Sequence, residues 1–599
     1  MGPVLKGLRT WPPQENSPSW SHLGLCRFSA WAAAECGLRP EAAGAAPVCT
    51  EPRTLLALSE EEEAINMQSS AGLLPLVLLP LAALCGTPGP HQSMESQPMA
   101  PRDPAVLIIG AGISGIATAE KLHRHGFQKI KVLEATGRTG GRIRTDSFGK
   151  GLIEVGAQWI HGPSPRNPVF QLASQFGLLN PDALLEENQK INLYGHPPDI
   201  PFVFSSSGKT IKPENLITIS ELYNTWLDQA RNFTSGDCDP EASVGHFIHQ
   251  KIINSSHEWD KELLEMYMAY LRGLLNMECC VSGTHSMDHV ALCPFGEYTM
   301  LPGLDCTFPK GYESLVNQIK SPLPNGTVIL EKAVKSIHWD GSFHGDNSHV
   351  YPVKVKCEDG DSFVADHVVV TVPLGVLKKR AVDFFSPILP PGKLQAIKNL
   401  GFGTNNKILL EYEKPFWDPN TTLIQPVWEG DSPLTEANKD LKQNWMKKLS
   451  VFVVLEPPEQ LGHVLCGFIA GEESEFMETL TDEEVLSSVT DYFRKFTGNP
   501  DLPPPISLMR SQWHSQPYTG GSYSYVAVGS SGIDVDNLAE PLPTDNEALK
   551  GYHWLGGPPR NITPDHHRTS ALFYGWEKAV WMESFFRMSP NVHSARGRK

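Results

Sequence analysis

Along the chain the spacing of apolar positions changes repeatedly, and each change marks an element. Residues 105–109, AVLII, form an unbroken β-branched and aliphatic run, as in a strand covered on both faces within a parallel sheet. A glycine turn follows, then amphipathic spacing that predicts a helix from Ile113 to His125, closed by a left-handed Gly126. IKVLE (130–134) is a second apolar run that ends on an acid. Further on, 325–341 and 351–373 read as turn-bounded alternating strands, whereas KELLEMYMAYLRGLLNM (261–277) carries helical spacing. NNKILLEY (405–412) reads as a strand with one buried and one open face. Strand, helix and strand in this order predict the α/β class.

Residues 1–100 break the pattern: they are rich in Pro, Ala, Ser and Glu, with an acidic run Glu60–Glu63, and are expected to be disordered. Within them LPLVLLPLAALC (74–85) is apolar but too short to span a bilayer, contains two prolines and lies far from Met1. A start at Met67 would make it a secretory signal core, and five Asn-x-Ser/Thr sequons, Asn232-Phe233-Thr234 among them, would then matter. The favoured expectation is an intracellular protein.

Length and charge narrow the function. A chain of 599 residues has room for two domains or more. The formal net charge of -17 argues against nucleic acid as the partner and leaves a cationic ligand open. Eleven cysteines without a CxxC spacing suit neither a zinc site nor a disulfide framework, so mostly reduced thiols and no metal are expected.

The chemistry lies in the first glycine turn. Gly110-x-Gly112-x-x-Gly115 follows AVLII directly. Gly110 permits the turn, Gly112 lets backbone approach a pyrophosphate, and Gly115 lets helix pack on strand. The helix N-terminus then faces the anion with free N–H groups. Glu134 stands where an acid accepts the ribose hydroxyls, which disfavours a phosphorylated nicotinamide cofactor but leaves NAD and FAD open. EATGRTGGRIRT then adds Arg138, Gly140, Gly141, Arg142 and Arg144 at the same place.

This succession resembles the Glu-x-x-x-Arg-x-Gly-Gly-Arg extension of the flavin amine oxidase superfamily. The likeness runs from about residue 104 to about 546, through IEVGAQWIHGPSPRNPVFQLA, NMECCVSGTHSMD, FGEYTMLPGLDCTFPKGYESL, GFGTNNKILLEYEKPFW and GGSYSYVAVGSSG. It is nearest to the branch that oxidises N1-acetylated polyamines, with the spermine-oxidising branch close by. MESQPMAPRD, from Met94, resembles the usual beginning of that branch, so 1–93 would be an added extension.

The resemblance implies FAD as cofactor and a Rossmann-type FAD-binding domain beside an α+β substrate domain. The FAD-binding domain would comprise 101–170, 295–378 and 507–546, the substrate domain 171–294 and 379–506, with 547–599 a divergent tail. Gly110, Gly112, Gly115, Glu134, Arg138, Gly141 and Arg142 would hold the cofactor, and the backbone of Val334 would meet the adenine. Lys407 matches a lysine held through a water to the flavin, and His161 a histidine lining the substrate channel. Asn405 would bond the acetamide, Glu278 would meet the distal cationic nitrogen, and Tyr523 would form an aromatic wall. The implied activity is oxidation of acetylspermine and acetylspermidine by hydride transfer to flavin. Its products are 3-acetamidopropanal with spermidine or putrescine and, from oxygen, hydrogen peroxide. A monomer without membrane attachment, peroxisomal or cytoplasmic, is expected.

One stretch departs from the family pattern. After AEPLPTDNEALK the chain has no Phe-Ala-Gly-Glu-Ala-Thr-His-like closing motif; its His566–His567 pair lacks neighbours for a metal, and Gly597-Arg598-Lys599 differs from a Ser-Lys-Leu peroxisomal signal. The alternative expectation is a non-catalytic variant that keeps nucleotide and polyamine binding, or a spermine oxidase.

Overall fold

The computed structural model describes residues 103–542, except 193–200, 234–238, 298–299, 346–348 and 436–439. The expectations for residues 1–100 and 547–599, including the apolar stretch 74–85 and the His566–His567 pair, lie outside the described residues.

Strand β1 (Val106–Ile109) is parallel to β2 (Ile130–Leu133) on one side and to 367–370 on the other, and 328–329 extends the sheet beyond β2. Its unbroken apolar run has a direct cause. Val106 and Ile108 enter a core with Ile113, Ile116 and Ala119 of helix α1 (Ile113–Arg124), whereas Leu107 and Ile109 enter a second core with Val334, Ile337 and Leu374. Both faces are covered, as parallel sheets require. Helix α1 ends before Gly126, whose φ of +93° supplies the expected left-handed stop. Glu134 follows β2 at the sheet's carboxyl edge, where open α/β sheets bind ligands.

Helix α2 (Leu264–Ser282) runs five residues past the predicted helical stretch, because Cys279, Cys280 and Ser282 continue its buried surface to the left-handed Gly283, φ +67°. Strand β3 (Asn405–Tyr412) lies in a seven-stranded sheet ordered 507–510, β3, 463–470, 451–455, 423–427, 202–205, 210–211. All eight of its residues are buried, which corrects the expected alternation. Ile408, Leu410 and Tyr412 face one core and Leu409 another, with Phe148 and Ile153. Strand 507–510 pairs with β3, so the chain leaves this sheet after Arg510, slightly beyond the boundary expected at 507.

Cys279, Cys280, Cys306, Cys357 and Cys466 are free thiols, whereas Cys293 is disulfide-bonded, an exception to the reduced set expected. Among the described residues no helix is long and apolar enough to cross a membrane, and no cluster of His, Cys, Asp or Glu could hold a metal ion.

Candidate active site

The three glycines divide their work as the motif predicts. Gly110 has φ +103°, a conformation that side chains resist, and its turn is closed by the Thr371 hydroxyl on the Ile109 and Gly110 carbonyls at 2.9 and 3.2 Å. A Cβ on Gly115 would stand 1.9 Å from the Gly110 carbonyl oxygen, so only glycine lets α1 start here. A Cβ on Gly112 would meet nothing within 4 Å: the space above this backbone is open. Gly140 N–H donates to the Ala111 carbonyl, bringing the second glycine pair against the first.

Gly110, Gly112 and Gly140 line a cleft with Glu134, Arg138, Gly141, Arg142 and Val334. The Glu134 carboxylate accepts from Ala111 N at 2.7 Å and, through its other oxygen, from Thr136 N and Oγ1 at 2.9 and 2.7 Å. It is thereby aimed across the turn. Arg138 spends its donors on the loop itself, bonding the carbonyls of Thr139, Ile143 and Gly141, so it shapes the cradle from within. Burial pulls its pKa down, against the Glu313 carboxylate that raises it. Arg142 reaches the Ser522 carbonyl. The Val334 carbonyl accepts from Arg380 at 3.2 Å. Thr371, Trp513 and Tyr518 also line the cleft; sequence reasoning did not single them out.

Lys407 does not line this cleft itself but is bonded to residues at its wall. Its main-chain N–H donates to the hydroxyl of Ser511, a lining residue, and its Nζ donates to the carbonyl of Glu154, the neighbour of lining residue Val155. Nζ also donates to Gln158 Oε1 at 2.7 Å and lies 5.8 Å from the centre of the Phe468 ring. The side chain is 2% exposed, and burial holds its ammonium below the usual lysine range against Cys466 and Glu154, which raise it. The Glu154 carboxyl turns away to Tyr312 N and Thr145 Oγ1, and burial pushes it up to about 7.

Asn405 shares the Lys407 face of β3, two residues earlier. Its N–H donates to Ser522 Oγ at 2.6 Å and its Nδ2 to Tyr523 OH at 3.0 Å, while among the described residues its Oδ1 is buried without a partner. The Tyr523 hydroxyl donates to the Cys280 carbonyl near the end of α2, and its ring fills the space where a Cβ on Gly283 would lie. Tyr523 is therefore a packed residue, 4% exposed. Glu278, one helical turn before that end, is buried; desolvation raises its carboxyl pKa and Arg231 opposes the rise. Behind β3, Asn406 makes four bonds: Nδ2 to Ser474 Oγ and Glu478 Oε1, and Oδ1 from Ser511 Oγ and Trp513 N.

His161 joins Asp305, a partner 144 residues away, through Nδ1 and Oδ2 at 2.6 Å. Desolvation lowers the imidazole pKa, but the charge and hydrogen bond of Asp305 more than reverse it, so the net shift is upward. A histidine held this way donates more readily than it accepts, which suits a positioning role. The Trp159 ring lies 6.0 Å from His161 and 6.1 Å from Phe468, linking it to the lysine's surroundings.

Residues 113–556 match the family described as flavin containing amine oxidoreductase. The chain belongs to this family. It is 52% identical over 496 residues to the peroxisomal N(1)-acetyl-spermine/spermidine oxidase of Bos taurus, covering 82% of this chain and 96% of the relative. It is 49% identical over 513 residues to the Homo sapiens protein of the same name, covering 85% and 100%, and 31% identical to polyamine oxidase 1 of Oryza sativa subsp. japonica, covering 75% and 90%. The two-domain α/β architecture and the oxidoreductase class follow from the family, as does FAD. The cleft fits that cofactor: an open backbone at Gly112 for the diphosphate, an aimed acid at Glu134 and a cationic loop from Arg138 to Arg144.

Proposed function

We propose that the protein oxidises N1-acetylated polyamines, the substrates named for its bovine and human relatives, at a site between Lys407 and Asn405. The observation that carries this reading is the unpartnered, buried Oδ1 of Asn405, on the same strand face as Lys407. A buried acceptor left unmet is costly, and the N–H of an acetamide satisfies it without bringing a charge into the core. The chemistry that bound FAD supplies is two-electron acceptance from the amine-bearing carbon, with oxygen as final acceptor.

The chain's residues supply the rest. Gly110, Gly112, Gly115, Glu134, Gly141 and Arg142 hold the dinucleotide, Arg138 stiffens its loop, and the Val334 backbone meets the adenine. Lys407 receives or passes a proton at Nζ in a dry pocket, because an amine gives up hydride only with its lone pair available. His161, fixed by Asp305, orients the chain of the substrate. Tyr523 holds Asn405 in place, and Glu278 faces the distal nitrogen. The excess of acid draws polycations inward, and the protein works as a monomer in the peroxisome, where the relatives' names place them.

The test is peroxide release from acetylspermine and from free spermine by the wild type and Asn405→Leu. Preference for the acetylated substrate should fall by tenfold or more in the variant. An unaltered preference would refute the acetamide contact, and no peroxide from either substrate, with flavin bound, would refute the activity.

A further inference from the structure

Lys407 is held by two acceptors, and the number decides what it can do. The Glu154 main-chain carbonyl and Gln158 Oε1 lie 2.8 and 2.7 Å from Nζ, and neither atom can donate. Each therefore takes one lysine N–H. A neutral amine has two N–H groups and one lone pair, so it meets this pair of acceptors completely. An ammonium would bring a third N–H into surroundings where, among the described residues, no third acceptor stands within hydrogen-bond reach.

The charged and titratable neighbours agree. The Glu154 carboxyl is committed to Tyr312 N and Thr145 Oγ1. The Cys466 thiol, on the adjacent strand 463–470, is pushed up to about 11 by burial and is uncharged at neutral pH. Arg510, on the strand at the other edge of β3, points its guanidinium to Asp482 and to the carbonyls of Met477 and Leu480. Among the described residues no carboxylate bonds Nζ.

We infer that Gln158 is a positioning residue: with the Glu154 carbonyl it takes up both N–H groups of Lys407 and so leaves the lysine's lone pair as the only group presented in the third direction. A proton delivered there, by water or by a substrate ammonium, forms a new N–H bond from that lone pair, and its carrier keeps the electrons of the bond it breaks. The lysine then acts as acceptor first and donor second. The role of Gln158 rests on the proposed function only in that Lys407 serves the oxidation.

The experiment uses the full-length holoenzyme with lysine labelled with carbon-13 at Cε, the Lys407 signal being assigned by its loss in Lys407→Met. Gln158→Glu places a carboxylate at the same distance, and the Lys407 titration midpoint should rise by about 1–3 pH units. Gln158→Met, which keeps the length but removes the acceptor, should leave the midpoint without such a rise and lower kcat at least tenfold with KM within twofold. In a Lys407→Met background, Gln158→Glu should change kcat less than twofold. A midpoint unmoved by Gln158→Glu, or an equal loss of kcat with and without Lys407, would overturn the inference. A raised midpoint with flavin reduction unchanged would keep the positioning and remove Lys407 from the reaction.

Discussion

Arg142 of the glycine loop donates to the main-chain carbonyl of Ser522, 380 residues further along the chain, and the Ser522 hydroxyl accepts from the Asn405 main chain. Cofactor loop and substrate strand are thus joined through one serine. Replacing Arg142 with Ala removes a charge-assisted bond worth about 1.5–3 kcal/mol. FAD retention should fall at least tenfold, read as flavin fluorescence released on dilution, and the KM for amine should rise with it. Unchanged retention would show that the arginine serves only the serine.

The open space at Gly112 and the crowded one at Gly115 predict opposite outcomes for the same substitution. Gly112→Ala should fold normally without added cofactor, since its Cβ meets nothing, yet bind FAD more weakly because the methyl stands where the diphosphate approaches. Gly115→Ala must push Gly110 aside and should destabilise the apoprotein by about 1–3 kcal/mol. Thermal melts with and without FAD distinguish the two patterns, and identical behaviour of the variants would contradict the assignment.

Glu154 sets a pH dependence of stability. Its carboxyl releases its proton at about 7 in the fold, against an ordinary value of 4.5. Between these values the folded state binds more protons than the unfolded one, so stability falls as pH rises through that window. The loss is on the order of 3 kcal/mol. Glu154→Gln keeps an acceptor for Tyr312 N and should flatten the decline, so that it melts above the wild type at pH 8 and close to it at pH 4.5. Parallel melting curves for the two proteins would rule out the carboxyl as the cause.

Tyr523 joins Asn405 to the end of α2 by accepting from one and donating to the other. Tyr523→Phe leaves the Cys280 carbonyl and Asn405 Nδ2 without this partner, at a cost of about 1–3 kcal/mol. The variant should lose acetylated-substrate selectivity together with stability, measured by denaturant melts and competing-substrate assays. Intact selectivity in a destabilised variant would place Asn405 outside substrate recognition.

The parts of this site legible in the sequence are those that neighbours specify. Val106 to Glu134 form a local strand, turn, helix and strand, and each glycine has the conformation, open space or crowding that its place in the motif demands. Asp305 was missed because it reaches His161 across 144 residues, and Gln158, though inside a quoted stretch, has its role fixed by a lysine 249 residues away. No spacing rule carries such pairs. NNKILLEY does not disclose its full burial for a related reason: whether the second face of a strand is covered depends on what packs there, here Leu409 against Phe148 and Ile153. The Cys293 disulfide likewise carried no spacing signal.

Asn406 points away from the proposed substrate side and reaches the cleft only through the lining residues Ser511 and Trp513, yet its four bonds set which way its neighbours look. Sliding β3 by one position would carry that amide to the substrate side and drive the Lys407 amine among Ser474, Glu478 and Trp513, because side chains swap faces with every step. Four hydrogen bonds would be forfeited at once. The alignment of the reactive amine is thus guarded from the rear of the sheet, by a residue that a search of the catalytic pocket alone would pass over.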